Sequence, residues 1–279
     1  MSVHLDPQYR EGFWVISFSG DDEIQCRDHV RTAAGLPAWA PSSRDQAPVL
    51  CPIIVHTGPS EDENRKAAWL QSRVLALWEE ACDPRGTIVE AYLTRSKEDG
   101  GRGLAYPDDV ADAVLRYHPA CPWKDESGTT LRVPAMVAAM RCIHTDRLKA
   151  VHRTRLTPEG RKVDRRMLGD AKEAAIKLDP GEAVTMGLVV GEGIETCLAA
   201  RQIGLRPVWA LGSVGSIQTF QVLSGIDAIT LLAETDKRGA NARAIDTCGT
   251  RWHEAGRVVI VASPKFGSDV NDALQGKVA

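Results

Sequence analysis

The chain has 279 residues, 43% of them hydrophobic, with 34 basic against 37 acidic side chains and a formal charge of −3. That length supports roughly two domains, and the near balance of charge leaves any nucleic-acid surface to be sought segment by segment. Seven cysteines, scattered and never spaced C-x-x-C, exclude a zinc ribbon and suit reduced thiols, while no leader and no run of about 18 apolar residues is present, so a cytoplasmic, non-membrane protein is expected.

Residues 13–18 predict an apolar strand closed by a turn, followed by a helix with Asp22 as N-cap that Gly35 and Pro37 end. Residues 41–64, rich in proline, serine and mixed charge, read as a linker holding one short apolar strand at 49–55. An amphipathic helix follows at 65–80, with Trp69 and Trp78 as a core-facing pair. After a turn at 83–86 and a short helix at 87–93, residues 95–102 are charged and glycine-rich, which predicts an exposed loop.

Residues 110–116 form a short regular segment. His118 and Cys121 have an H-x-x-C spacing, but no second pair stands nearby, so a zinc site is not expected. Residues 134–143 and 148–154 predict two buried strands joined as a hairpin. Between Lys149 and Lys177 nine basic residues stand against four acidic ones. Such an excess beside an acidic site is what a phosphate-bearing substrate requires, and Arg153, Lys162, Arg165 and Arg166 are its candidate contacts; a solvated hairpin rim is the plainer reading.

From Pro180 the chain alternates strand and helix: strands at 186–190, 207–211, 229–233 and 258–262, helices at 194–203 and 241–255. That order predicts a twisted, mainly parallel α/β sheet flanked by helices, with ligands beyond the carboxyl ends of the strands. Acids occupy those ends: Glu192 after the first strand, Glu234 and Asp236 after the third, Asp269 and Asp272 after the fourth. Each alone also reads as a helix cap, but five carboxylates at one rim repel one another, and a cation relieves this. Carboxylate oxygens without histidine or thiol point to Mg²⁺ or Mn²⁺.

Gly-Glu-Gly-Ile-Glu-Thr at 191–196, Ala-Glu-Thr-Asp at 233–236 and Ser-Asp-Val-Asn-Asp at 268–272 resemble the Toprim domain of topoisomerases, bacterial-type primases and some nucleases. The motifs at 118–122, 152–154 and 167–169 are similar to those of primases of phages, plasmids and integrated elements. The resemblance implies a general acid/base role for Glu192 and magnesium binding by Glu234, Asp236, Asp269 and Asp272. It also implies primer synthesis on single-stranded DNA from nucleoside triphosphates, with a separate helicase as a further partner. A Toprim nuclease and a non-catalytic DNA-binding regulator are the alternatives. Two departures stand out: glutamate at 234 where the family usually has aspartate, and no zinc cysteines before the 13–22 segment. The implied organisation is a strand–helix segment at 1–40, a linker at 41–64, a smaller α+β domain at 65–180 and a Toprim domain at 181–279.

Overall fold

The computed structural model describes residues 1–5, 13–16, 22–36, 60–236 and 238–275, which belong to two compact units, 1–57 and 58–279. In the first unit β1 (Ser2–Leu5) pairs antiparallel with β2 (Phe13–Ile16). Helix α1 (Glu23–Ala33) starts at Asp22, whose carboxylate accepts the amides of Ile24 and Gln25, the cap that the sequence predicts. Phe13, Val15 and Cys26 form its small core. The strand expected at 49–55, with the linker as far as residue 59, lies outside the described residues.

The second unit opens with α2 (Glu61–Glu80), so the last four residues of the expected linker are helical. The reason is a capping box: Ser60 Oγ accepts the Glu63 amide at 3.2 Å and the Ser60 amide donates to Glu63 Oε2 at 2.7 Å. Val74, Leu77 and Trp78 are buried, whereas Trp69, expected beside Trp78 in the core, is 62% exposed under Arg73. Nine residues make two and a half helical turns, which sets the two indoles on opposite faces.

Helix α3 (Ile88–Thr94), capped by Thr87, precedes the strands β3 (Leu115–Lys124), β4 (Thr130–Cys142), β5 (Leu148–Leu156), β6 (Lys162–Gly169), β7 (Ala174–Lys177), β8 (Gly187–Gly191), β9 (Val208–Ala210), β10 (Ala228–Leu232) and β11 (Val258–Ala262). They build one nine-stranded sheet in the order β11-β10-β8-β9-β7-β4-β5-β6, with β3 also on β4. The pairs β11/β10, β10/β8 and β8/β9 are parallel, and all others are antiparallel. The sheet therefore runs unbroken across the boundary expected at 180/181, and the expectation of mainly parallel pairing applies to its C-terminal part. Strand β3 carries Pro119 at a register shift between His118 and Cys121, where its missing amide does not interrupt the ladder.

Helices α4 (Ile194–Gln202), α5 (Val214–Thr219), α6 (Ala240–Glu254) and α7 (Val270–Leu274) complete the unit. Alternation along β8 divides the core: Val189 packs with Ile194 and Leu198 of α4, while Leu188 and Val190 pack with Trp209, Ile245 and Trp252. Trp252 stacks on Phe220 with ring centroids 6.0 Å apart. Asp179, fully buried after β7, accepts Arg201 Nε at 3.0 Å, Arg206 Nε at 2.9 Å and the Val208 amide at 2.9 Å. No helix among the described residues is long and apolar enough to cross a membrane.

Candidate active site at the ends of the parallel strands

Strand β8 ends on Gly191, where a Cβ would meet Cys197 Sγ at 2.8 Å and Leu232 Cδ1 at 3.1 Å, so only glycine lets β8 pass this closely beneath α4 and beside β10. The next residue, Glu192, is 7% exposed and accepts Arg165 Nη2 at 2.7 Å. Beyond β10, Glu234 accepts Thr196 Oγ1 at 2.6 Å, and its amide donates to Asn241 Oδ1 at 3.0 Å. Burial raises the Glu234 carboxyl above its ordinary range. The Thr196 hydrogen bond opposes that shift, and the charges of Glu192 and Asp269 add to it. The charges of Glu192 and Asp269 thus both repel that of Glu234.

Asp236 and Asp272 have other partners. The Asp236 carboxylate accepts the amides of Arg238 at 2.8 Å, Ala240 at 3.0 Å and Asn241 at 2.7 Å, which lowers its pKa and caps α6. Asp272 is ion-paired with Lys97 and accepts the Ser268 amide at 2.8 Å and hydroxyl at 2.6 Å. Burial works to raise its carboxyl, but Lys97 and Ser268 hold it well below the usual carboxylate range. Asp269 is itself the N-cap of α7, accepting the Asp272 amide at 2.7 Å. The five acids expected to converge on one cation therefore divide, because helix amides and Lys97 already satisfy part of their charge. Among the described residues no three His, Cys, Asp or Glu side chains are grouped as a ready-made metal site. Glu192, Glu234 and Asp269 nevertheless suit a hard divalent cation, being oxygen donors whose repulsion such an ion would relieve. Nearby Asn271 is 2% exposed with its Oδ1 unpartnered.

The basic patch divides as well. Val163 is an extra residue in β6, so Lys162 pairs with Leu156 while Asp164 pairs with Arg155 and Arg165 with Thr154. This bulge brings Lys162 and Arg165, three apart in sequence, onto one face, that of His152 and Thr154. Arg153 and Arg166 lie on the other face, stacked over the buried Trp123 at 5.3 and 5.0 Å and donating to the carbonyls of Pro122 and Lys124. Of the four predicted contacts, Lys162 and Arg165 reach the acidic rim and Arg153 and Arg166 do not. The motif residues His118 and Cys121 belong to β3, where His118 Nε2 lies 3.3 Å from Glu80 and Cys121 is buried against α2.

Two participants, Lys97 and Arg102, have no signal in the sequence pattern, while Glu195 and Thr196 lie in the 191–196 motif with no role read from it. The 95–102 loop, expected to be exposed, instead folds toward the site, with Lys97 on Asp272 and Arg102 Nε donating to Tyr92 OH at 2.8 Å. Glu195 Oε1 accepts Lys162 Nζ at 2.7 Å and the Tyr92 hydroxyl. Burial alone would raise its pKa, yet Lys162 and Tyr92 hold it down at about 2. Lys97, Arg102, Lys162 and Arg165 line a polar cavity of about 400 Å³ together with Glu195, Glu234, Asp269 and Asp272, and within it Lys162 is paired with Glu195 and Lys97 with Asp272. A second cavity of about 480 Å³ adjoins Glu192, Glu234 and Asp236.

Residues 187–279 match the family model described as a Toprim domain, and residues 68–178 match a domain of unknown function, DUF7146. No curated protein matches the chain. Among solved structures, the fold is similar to that of a DNA primase domain from Pseudomonas aeruginosa, at 16% identity and a TM-score of 0.52 over 75% of each chain. It is also similar to a DnaG primase catalytic domain bound to single-stranded DNA, at 13% identity and a TM-score of 0.50 over 78% of this chain and 79% of that one. The chain carries a Toprim domain within a primase-like fold.

Proposed function

We propose that the protein is a metal-dependent nucleotidyltransferase that makes primers on single-stranded DNA from nucleoside triphosphates, as the primase core of a mobile element. The observation that carries this reading is the cavity at the strand ends, lined by Lys97, Arg102, Lys162 and Arg165 together with Glu195, Glu234, Asp269 and Asp272, with Glu192 held by Arg165. Cations and carboxylates lining one cavity suit a polyphosphate approached by a hydroxyl nucleophile.

Glu192 takes the proton of the attacking hydroxyl, and Arg165 orients its carboxylate and neutralises it between turnovers. Glu234 and Asp269, with Asp236 and Asp272 beside them, would hold Mg²⁺ or Mn²⁺. When bound, the ion neutralises charge on the phosphate oxygens. Lys162 and Arg165 bind phosphate from the β6 side and Lys97 and Arg102 from the 95–102 loop. The face of Arg153 and Arg166 over Trp123 guides the template strand, dividing the chain into a template-guiding part at 65–180 and a Toprim part at 181–279.

Incubation with single-stranded template, labelled nucleotides and Mg²⁺ or Mn²⁺ tests this reading. Primers made by the wild type, absent with Glu192→Gln and absent with chelator, are expected. Cleavage of labelled DNA without nucleotides would identify a nuclease instead, and neither activity would leave a non-catalytic DNA-binding role.

A further inference from the structure

The second glutamate of the Gly-Glu-Gly-Ile-Glu-Thr stretch, Glu195, is at the centre of contacts that the catalytic reading does not use. Its side chain is 13% exposed. Oε1 accepts Lys162 Nζ from β6 and the Tyr92 hydroxyl from α3, and Tyr92 in turn accepts Arg102 Nε from the 95–102 loop. The Arg102 guanidinium also lies over the Tyr92 ring at 5.1 Å. One carboxylate in the first turn of α4 therefore fixes, directly or through one hydroxyl, two of the four cations of the polar cavity, each delivered by a different element. Glu192 stands three residues earlier, just before the N-cap of α4, and is held by Arg165 of the same β6 strand that carries Lys162.

A buried ion pair contributes little net stability, since desolvation offsets much of the attraction, but it fixes which groups face each other. Lysine and arginine side chains lose considerable rotamer freedom when held, and ordering them before a ligand arrives lowers the cost of binding.

We propose that Glu195 is a positioning residue that sets Lys162 directly, and Arg102 through Tyr92, at the wall of the cavity in readiness for a nucleotide's polyphosphate. The proposal rests on the nucleotidyl-transfer reading for its substrate but not for its test. The competing effect is electrostatic: if Glu195 merely neutralised Lys162, removing its charge would strengthen anion binding.

Calorimetric titration with inorganic tripolyphosphate in magnesium buffer separates the two. Glu195→Gln and Tyr92→Phe are each expected to weaken binding about tenfold, and Glu195→Gln is expected to add nothing in a Lys162→Met, Tyr92→Phe background. Nucleotide KM should rise with kcat nearly unchanged. Should Glu195→Gln fail to fold, Tyr92→Phe decides. Wild-type or tighter binding by the variants, a further loss in the combined background, or no tripolyphosphate binding by the wild type overturns the proposal. Tripolyphosphate binding lost in the variants, in a wild type that makes no primers, would sink the transfer reading and leave Glu195's role standing.

Discussion

Thr196 Oγ1 donates a 2.6 Å hydrogen bond to Oε1 of Glu234, tying the first turn of α4 to the end of β10. This contact gives a physical reason for glutamate where the motif resemblance leads one to expect aspartate. An aspartate carboxylate would draw back by about 1.5 Å, roughly one methylene, beyond hydrogen-bond reach of Thr196. Glu234→Asp and Thr196→Val are each expected to destabilise the protein by about 1 kcal/mol, the usual net worth of such a bond, read as a fall in thermal midpoint. A double variant no worse than either single one would confirm that both act through the same contact.

Acid unfolding should report on Glu195. Its carboxyl is held at about 2 in the folded protein, below its ordinary value of 4.5. A depressed acid contributes stability above the unfolded-state pKa and loses it as pH falls through the folded one. Stability should therefore decline between about pH 5 and pH 2, by on the order of 3 kcal/mol from this group. Glu195→Gln should flatten that limb in denaturant titrations at successive pH values, and an unchanged slope would contradict the assignment.

Asp179 is a purely structural counterpart. It is fully buried between Arg201 and Arg206, where β7 hands the chain on toward β8 and β9. Asp179→Ala strands the guanidinium of Arg201, itself 7% exposed, and should cost about 3 kcal/mol by chemical denaturation. Asp109 still pairs with Arg201 and limits the loss.

The two faces of β6 should separate in binding assays. Arg166→Ala and Arg153→Ala are expected to weaken single-stranded DNA binding evenly across sequences and to reduce the salt slope by about 0.7 per lost phosphate contact. Arg165→Ala should leave DNA affinity nearly intact and lower primer synthesis, since that side chain holds Glu192. Equal effects of all three substitutions on both readouts would refute the division.

The sequence by itself determined the parallel part of the fold. Short apolar runs alternating with helical patterns admit few arrangements, and they located Glu192, Glu234 and Asp269 at strand ends. The Asp22 cap was legible for a similar reason, since a cap is a contact within one turn. Strands β6 and β7 were not legible. Strand β6 is an edge strand full of charge whose alternation the Val163 bulge interrupts, so it read only as a basic patch.

Only the tertiary structure decided which partner each acid takes and which cations line the cavity beside them. Asp272 meets Lys97 across 175 residues and Glu195 meets Tyr92 across 103, separations at which no local periodicity operates. The one-residue bulge in β6 turned Arg165 toward Glu192 and left Arg166 on Trp123. Composition and spacing record how many charges a segment carries; strand register and long-range packing choose each one's partner, because a single inserted residue in a period-two strand reverses the face on which every later side chain stands.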